Sequence, residues 1–241
     1  MTEIVDNPYG MDALWRQGDY VARGTLVVLL IMSVGSWYII VSKLLQQIRL
    51  MRQARAATKI PPGQAFAPEA FKESRDANPF RFIAEIGAQA VLDHERVIDQ
   101  VDLHTWVTIA IQRAAEGIQS RLQGGLAFLA TVGSTAPFVG LFGTVWGIYH
   151  ALTAIGIAGQ ASIDKVAGPV GEALIMTAFG LAVAVPAVLG YNWLVRRNKL
   201  AMEQVRSFAA ETHALLMSRA RTGAHARGIA NVGRVSHGNV C

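Results

Sequence analysis

The sequence is short of charge, and the shortage is concentrated in three stretches. Only 16% of its 241 residues are charged while 52% are apolar, which is unusual for a water-soluble protein. No Asp, Glu, Lys or Arg occurs in residues 24–42, 122–163 or 173–195. A helix needs about 20 residues to cross the ~30 Å hydrocarbon core of a bilayer. The first and third stretches therefore each predict one transmembrane helix.

Cysteine is almost absent, and histidine is not clustered in the sequence. The one cysteine, Cys241, is the last residue, which excludes an internal disulfide and a thiolate metal cluster. The six histidines form no HxxxH or HxxxxH pair, so their spacing indicates no metal or catalytic centre. Self-contained transporters usually contain internal repeats, and this sequence has none. We therefore expect neither an enzyme nor a chain that needs a cofactor.

The distribution of basic residues predicts the orientation in the membrane. Residues 1–23 hold two arginines and four acids, whereas five basic residues, from Lys43 to Lys59, follow the first apolar stretch with no acid among them. The tail 196–241 carries eight Lys or Arg and two Glu. Because basic flanks stay in the cytoplasm, the N-terminus is expected outside and the tail inside. This needs an odd number of crossings, so we predict an all-α integral membrane protein with three transmembrane helices, N-out and C-in.

The positions of the charged residues also indicate which partners the chain contacts and whether its first span is a cleaved signal peptide. The net charge of +5 comes from residues beside the predicted spans, where basic side chains orient helices and meet anionic lipid. We therefore expect contact with membrane lipid and no nucleic-acid partner. The acidic flank before the first span, with no small-x-small cleavage site after it, predicts an uncleaved helix rather than a signal peptide.

Outside the spans, apolar residues recur with helical spacing. Residues 82–122 place apolar side chains at three- and four-residue intervals, and residues 191–222 contain neither Gly nor Pro. Pro61, Pro62 and Gly63 mark a turn or linker. We divide the chain into a periplasmic N-terminal segment (1–23), transmembrane helix 1 (24–42), a cytoplasmic helical domain (43–126), transmembrane helix 2 (127–155), a periplasmic link (156–171), transmembrane helix 3 (172–195), a cytoplasmic helical extension (196–221) and a disordered tail (222–241).

Small residues recur every three or four positions along the second and third spans. Helices in lipid associate through close backbone contact at such residues. The pattern fits two helices packed within one chain, or subunits packed around a shared axis, and spacing alone does not choose between them. The residues that we assign to these helix-packing ridges are Gly133, Gly140, Gly143 and Gly147 in the second span and Gly180 and Ala184 in the third.

Three polar residues of the spans form the candidate site. Glu172 begins the third span, where it is either a solvated acid at a helix N-terminus or a group that handles protons or contacts a partner. Thr144 and Thr177 either bond the carbonyl four residues earlier or line a pore. Because Glu172 and Thr177 are five residues apart, they lie about 140° apart around the helix. They cannot both point straight at a narrow axis.

The sequence around these residues resembles a known family. STAPFVGLFGTVWGIYHAL (134–152) and KVAGPVGEALIMTAFGLAVAVPAVLGYN (165–192) resemble the second and third transmembrane helices of the ExbB/TolQ family, which is distantly related to the flagellar stator protein MotA. The segment ASIDKVAGPVGEAL is closer to the ExbB pattern than to the TolQ pattern, which runs Ala-Pro-Gly-Ile-Ala-Glu. The order Gly168-Pro169 departs from that pattern.

The resemblance implies a homopentamer in the bacterial inner membrane. In this family the ExbB chains surround single transmembrane helices of ExbD, whose aspartate carries protons. The complex uses the proton-motive force to energise TonB, which drives outer-membrane uptake of iron-siderophores and vitamin B12. By position, Glu172, Thr144 and Thr177 correspond to the polar residues beside the ExbD-filled channel. Independently, spans with so few polar groups cannot form a complete proton relay across ~30 Å, so a partner that supplies the missing acid is expected.

Two other functions remain open. A TolQ-type subunit of the Tol-Pal envelope-integrity system would carry the same motifs. A non-conducting membrane scaffold would need only the small-residue ridges. Glu172→Ala separates the last case, because a scaffold tolerates the change whereas a motor subunit loses energised transport and still assembles.

Overall fold

The chain folds into long helices. The computed structural model describes residues 19–57, 78–97, 102–158 and 163–237. Predictions for residues 1–18, for the linker at 61–63, and for residues 159–162 and 238–241 lie outside the described residues. The described residues form five helices and no strand: α1 Tyr20–Ala57, α2 Pro79–Val97, α3 Leu103–Gln123, α4 Leu126–Ala158 and α5 Ile163–His237. The predicted all-α class is confirmed.

Three helical stretches have the length and composition of membrane spans. They are Tyr20–Ala57, Leu103–Ile157 and Ala173–Thr222. The predicted spans 24–42 and 127–155 fall within the first two, and the predicted span 172–195 overlaps the third. The number of such stretches is the number that the uncharged segments predict.

Local sequence signals fix where α2 and α3 begin. Asn78 precedes Pro79, and its Oδ1 accepts a hydrogen bond from the Phe80 amide at 3.0 Å. Proline suits the first position of a helix because an N–H at that position has no helical partner. Asp102 caps α3 by accepting a hydrogen bond from the Thr105 amide at 3.3 Å.

A two-residue turn separates α3 from α4. α3 ends at Gln123 and α4 begins at Leu126. Gly125 has a φ of +84°, a region that glycine adopts without steric penalty. A Cβ built on Gly125 would also lie 3.0 Å from Ile39 Cγ2, so a side chain meets both strain and crowding here.

The last helix extends beyond the predicted bounds. α5 begins at Ile163, inside the predicted link 156–171, and it continues to His237, through most of the predicted disordered tail 222–241. α4 likewise ends at Ala158 rather than at 155. No proline follows Pro186, so every later residue of α5 keeps its backbone donor. Glycine weakens a helix without removing a hydrogen bond, and a glycine-rich tail is therefore compatible with a helix.

The described residues fall into two compact units, which we name by their composition. The apolar unit comprises the described residues of Met1–Leu44 and Gly125–Val195, and the polar unit those of Leu45–Gly124 and Arg196–Cys241. α1 and α5 contribute residues to both units. Each unit has its own core. The most buried core residues are Leu129, Val132, Ala136, Ala187 and Leu194 in the apolar unit, and Phe80, Ile83, Val107, Ala201 and Val205 in the polar unit.

Large apolar side chains cover the outside of the apolar unit. Leu30, Ile31, Val34, Phe138 and Leu189 are each more than 60% exposed. An exposed surface of this kind suits lipid or neighbouring chains rather than water. The candidate polar residues therefore lie in a unit whose exposed surface is largely apolar.

Candidate functional site

The candidate site is built around Thr144, which is buried between α4 and α5. Thr144 is only 6% exposed. Its Oγ1 lies 2.9 Å from the Ala173 carbonyl oxygen on α5 and 3.2 Å from the Gly140 carbonyl oxygen one turn earlier on α4. It also lies 2.5 Å from Thr177 Oγ1. Thr144 thus contacts the carbonyl of its own helix, as the sequence allows, and in addition two groups of the neighbouring helix.

A single hydroxyl hydrogen limits how these contacts are shared. A threonine hydroxyl donates one hydrogen bond and accepts up to two. When Thr144 donates to one of the two carbonyls, the Thr177 hydroxyl donates to Thr144. This ordering satisfies the Thr144 hydroxyl in a setting where an unpaired polar group is costly. Sequence reasoning named both threonines, but only the folded chain brings them together.

Glu172 belongs to α5, and its side chain lies outside the described part of the chain. The next residue, Ala173, is buried and supplies the carbonyl that Thr144 contacts. The backbone at position 172 is therefore one residue away from a group of the site. The roles of Glu172, Thr144 and Thr177 in a proton pathway or in partner binding remain predictions.

The small-residue ridges bring α4 and α5 into backbone contact. A Cβ built on Gly140 would lie 2.6 Å from the Met176 carbonyl oxygen. A Cβ built on Gly180 would lie 2.6 Å from the Ala136 carbonyl oxygen. Real Cβ atoms do not approach oxygen so closely, so at this crossing any side chain would push the helices apart.

The rest of the ridge also packs inside this one chain. Ala184 is buried in the core of the apolar unit. These ridge residues therefore lie close to other residues of this one chain. The other ridge glycines would place a Cβ 2.5 to 3.0 Å from a side chain of the same chain: Gly133 from Val188, Gly143 from Thr25 and Gly147 from Ala173.

A polar cluster that the sequence did not reveal joins the start of α1 to α4. Asp19 Oδ2 accepts a hydrogen bond from Trp146 Nε1 at 3.1 Å and lies 3.2 Å from His150 Nε2. Its Oδ1 accepts from the Tyr20 amide at 2.7 Å. The Trp146 indole, then the Tyr20 amide and the charges of His150 and Arg23, lower the pKa of Asp19. The i, i+4 spacing of Trp146 and His150 was visible in the sequence, but their acidic partner lies 127 residues away from Trp146.

Two histidines that are distant in sequence meet in the polar unit. His104 of α3 and His213 of α5 have ring centroids 4.7 Å apart, and His213 Nε2 lies 3.1 Å from Thr108 Oγ1. They border a groove of about 540 Å³. Within the described ranges no three His, Cys, Asp or Glu side chains are grouped so that they could hold a metal ion.

Comparison with known proteins places these residues in a family. Residues 81–207 match the MotA/TolQ/ExbB proton channel family. The chain is 41% identical over 224 residues to a biopolymer transport protein ExbB of Xanthomonas campestris pv. campestris, covering 88% of this chain and 85% of that one. It is 36% identical over 211 residues to an ExbB protein of Neisseria meningitidis, covering 85% and 96%. A Tol-Pal system protein TolQ of Pseudomonas aeruginosa is 38% identical over 143 residues, covering 59% of each chain.

The family match contains the whole candidate site. Thr144, Glu172 and Thr177 all lie within residues 81–207, and so do the glycines of both ridges. The two ExbB relatives extend the similarity over most of the chain. The chain therefore belongs to the MotA/TolQ/ExbB proton channel family.

Proposed function

We propose that this chain is an ExbB-type subunit of a motor in the bacterial inner membrane. With an ExbD-type partner it uses the proton-motive force to energise TonB for uptake of iron-siderophores and vitamin B12. The observation that carries the proposal is the buried Thr144–Thr177 contact inside the segment that matches a proton channel family. The ExbB relatives, which cover most of the chain, favour this branch of the family.

The scarcity of ionisable residues in the spans supports the need for a partner. Residues 122–163 and 173–195 contain no charged residue, so Glu172 and a few hydroxyls are what this chain can offer to a proton. The missing carboxylate comes from the partner helix in this proposal. A unit charge that moves through 100 mV releases about 2.3 kcal/mol, enough to bias a two-state movement. The chain then acts as the collar of the motor rather than as a complete channel.

The proposal includes an arrangement in the membrane. The N-terminus lies outside and the basic regions that follow α1 and the third span lie in the cytoplasm, because of the charge distribution. The exposed apolar surface of the apolar unit accommodates lipid and four further copies of the chain in a homopentamer. Within it, Glu172, Thr144 and Thr177 stand at the proton pathway or at the partner helix.

The test of the site removes the Thr144 hydroxyl. Thr144→Val keeps the shape of the side chain and removes the hydroxyl that contacts Thr177 Oγ1 and the Ala173 carbonyl oxygen. A coupling of about 1–3 kcal/mol between this site and the energised step corresponds to a roughly 5- to 150-fold effect. We expect siderophore-dependent iron uptake to be lower by a factor in that range in cells that carry only the variant, and Thr144→Ser to retain most of the uptake.

The matched control is Thr135→Val. Thr135 is exposed on the same helix and bonds only its own helix, with Oγ1 donating to the Thr131 carbonyl at 2.7 Å. Native mass spectrometry of each variant, co-expressed with the ExbD-type partner, checks that assembly is intact. Equal uptake in Thr144→Val and Thr135→Val would remove the site from the mechanism.

The TolQ relative motivates a second candidate function. TolQ of Pseudomonas aeruginosa is 38% identical over 143 residues, so a Tol-Pal role in envelope integrity needs a direct comparison. Deleting the gene should abolish iron-siderophore uptake and leave detergent resistance intact if the proposal is right. The opposite pattern favours the TolQ role. A Glu172→Ala variant that retains full activity favours a non-conducting scaffold.

A further inference from the structure

Two buried amide side chains and one peptide carbonyl form a polar cluster inside the polar unit. Gln47 of α1 is 4% exposed and Asn198 of α5 is 7% exposed. Asn198 Nδ2 donates a hydrogen bond to the Leu122 carbonyl oxygen of α3 at 2.9 Å. Gln47 Nε2 donates to Asn198 Oδ1. Three helices are therefore tied together by buried polar groups.

The direction of these hydrogen bonds follows from their chemistry. A peptide carbonyl can only accept, so Asn198 must turn its amide nitrogen toward Leu122 and its oxygen toward Gln47. Gln47 must then present its own nitrogen. This leaves Gln47 Oε1 buried without a hydrogen-bond partner among the described residues. The donor from Asn198 also serves a helix end, because carbonyls in the last turn of α3 have no amide four residues ahead.

The three members of the cluster occupy equivalent places along the chain. The chain passes between the apolar and polar units after Leu44, after Gly124 and after Val195. Gln47 is the third residue past the first of these crossings, and Asn198 is the third residue past the last. Leu122 is the third residue from the end of the segment before the middle crossing. Each crossing is thus followed or preceded by one member of the cluster.

We propose that Gln47, Asn198 and the Leu122 carbonyl are a joint that fixes the register of α1, α3 and α5 within the polar unit. An apolar residue at position 47 would remove the buried, unpartnered Gln47 Oε1, so stability alone gives a poor reason for a glutamine here. Directional hydrogen bonds specify rotation about a helix axis, which apolar packing does less sharply. That this register is needed for energised work rests on the proposed function.

The first experiment compares Gln47→Glu with Gln46→Glu in the purified full-length chain. The neighbouring Gln46 is exposed on the same helix, so the two variants add the same charge to the same segment. An ionised carboxylate at position 47 cannot donate to Asn198 Oδ1, and it is buried. We expect the apparent Tm of Gln47→Glu to fall by about 4 °C or more at pH 8, and that of Gln46→Glu to stay near the wild type.

Lowering the pH gives a signature of the hydrogen bond itself. A protonated carboxyl group can donate to Asn198 Oδ1 as the glutamine amide does. Burial and the acceptor opposite raise the pKa of the introduced group in the folded chain above its ordinary value of about 4.3. The protonated carboxyl group therefore stabilises the folded chain when the pH is below the ordinary pKa of about 4.3. This stabilisation is lost as the pH rises through the raised pKa. We expect the Tm deficit of Gln47→Glu to shrink between pH 8 and pH 5. Identical dependences of Tm on pH for Gln47→Glu and Gln46→Glu would overturn the proposal of a joint.

The second experiment separates positioning from stability. The double variant Gln47→Leu/Asn198→Leu removes both amides and should have a higher Tm than Gln47→Glu at pH 8. We expect its siderophore-dependent uptake to stay roughly tenfold below that of wild type, because register rather than stability is lost. Uptake that recovers together with the Tm would overturn the positioning role. If the wild-type chain itself supports no uptake, the proposed function fails, while the pH-dependent Tm comparison still decides whether the joint exists.

Discussion

At the scale of single residues, the start of α1 shows how one carboxylate is held ionised at an exposed position. Asp19 accepts hydrogen bonds from the Trp146 indole and from the Tyr20 amide, and His150 lies beside it. These neighbours hold the pKa of Asp19 below its usual value of 3.8. Exposure screens the ion pair with His150, so the pair fixes geometry more than it stabilises the fold.

The indole donor gives a prediction about pH. Trp146→Phe keeps an aromatic ring and removes the N–H, so the pKa of Asp19 should rise toward 3.8, as measured by a 13C NMR titration of the labelled carboxyl group. Because the folded pKa is lowered, the stabilisation from Asp19 is present above the unfolded pKa and is lost as pH falls through the folded pKa. Wild type and variant should therefore converge in Tm as the pH falls from 3.8 through the folded pKa of Asp19.

The control for this titration is Trp37→Phe. Trp37 is 54% exposed on α1 and is not among the groups that shift the pKa of Asp19. A pKa that does not move in Trp146→Phe, or that moves equally in both variants, would contradict the assigned cause.

Residue identity was more predictable than residue contact. The threonines stood out because they are polar groups in uncharged stretches, and the sequence allowed each a bond to its own helix. Their mutual contact joins positions 33 residues apart, and the contact of Asn198 with Leu122 joins positions 76 residues apart. Helical periodicity says which face a residue shares with its neighbours, but it does not say which distant helix lies against that face.

At the scale of helices, the crossing of α4 and α5 depends on glycine. Gly140→Ala would place a methyl group 2.6 Å from the Met176 carbonyl oxygen, so the helices must separate or shift. We expect this to cost about 1–3 kcal/mol, which overpacking of a tight site typically costs, and to lower the apparent Tm in detergent.

The matched control lies on the same helix. A Cβ built on Gly156 meets nothing within 4 Å. Gly156→Ala should therefore leave the free energy of unfolding unchanged, or raise it by at most about 1 kcal/mol because the unfolded chain has less entropy. The ridge would lose its assigned role if Gly140→Ala were as stable as Gly156→Ala.

The ends of helices were harder to predict than their existence. Uncharged stretches located the spans, because burying charge in a bilayer is costly. The bounds of α5 differ from the prediction at both ends, since glycine-rich and basic composition predicts disorder whereas the chain stays helical to His237. Composition indicates the average entropy cost of ordering a segment. It does not show that every backbone N–H after Pro186 can still donate a helical hydrogen bond.

At the scale of the whole molecule, chain segments far apart in sequence combine into the two units. The apolar unit takes its residues from Met1–Leu44 and Gly125–Val195, and the polar unit from the two remaining segments. The predicted domain boundaries at 43, 127 and 196 lie within two residues of the first residues of later segments, Leu45, Gly125 and Arg196. The predicted boundaries follow charge and so report compatibility with lipid, whereas the two units are defined by contacts within the folded chain. No local pattern in the sequence indicates which segments of the chain pack together within a unit.

The charge distribution also predicts which ends of the spans face the cytoplasm, and the natural scarcity of cysteine makes this testable. Cys241→Ser gives a cysteine-free chain, into which Gly156→Cys, Gln46→Cys or Thr222→Cys can be introduced one at a time at exposed positions. Basic flanks around Gln46 and Thr222 should hold both positions inside, with Gly156 outside. A maleimide that cannot cross the membrane should therefore label only Gly156→Cys in intact cells, and all three variants after permeabilisation. Labelling of Gln46→Cys, but not of Gly156→Cys, in intact cells would show that the orientation is opposite to the one that the charge distribution predicts.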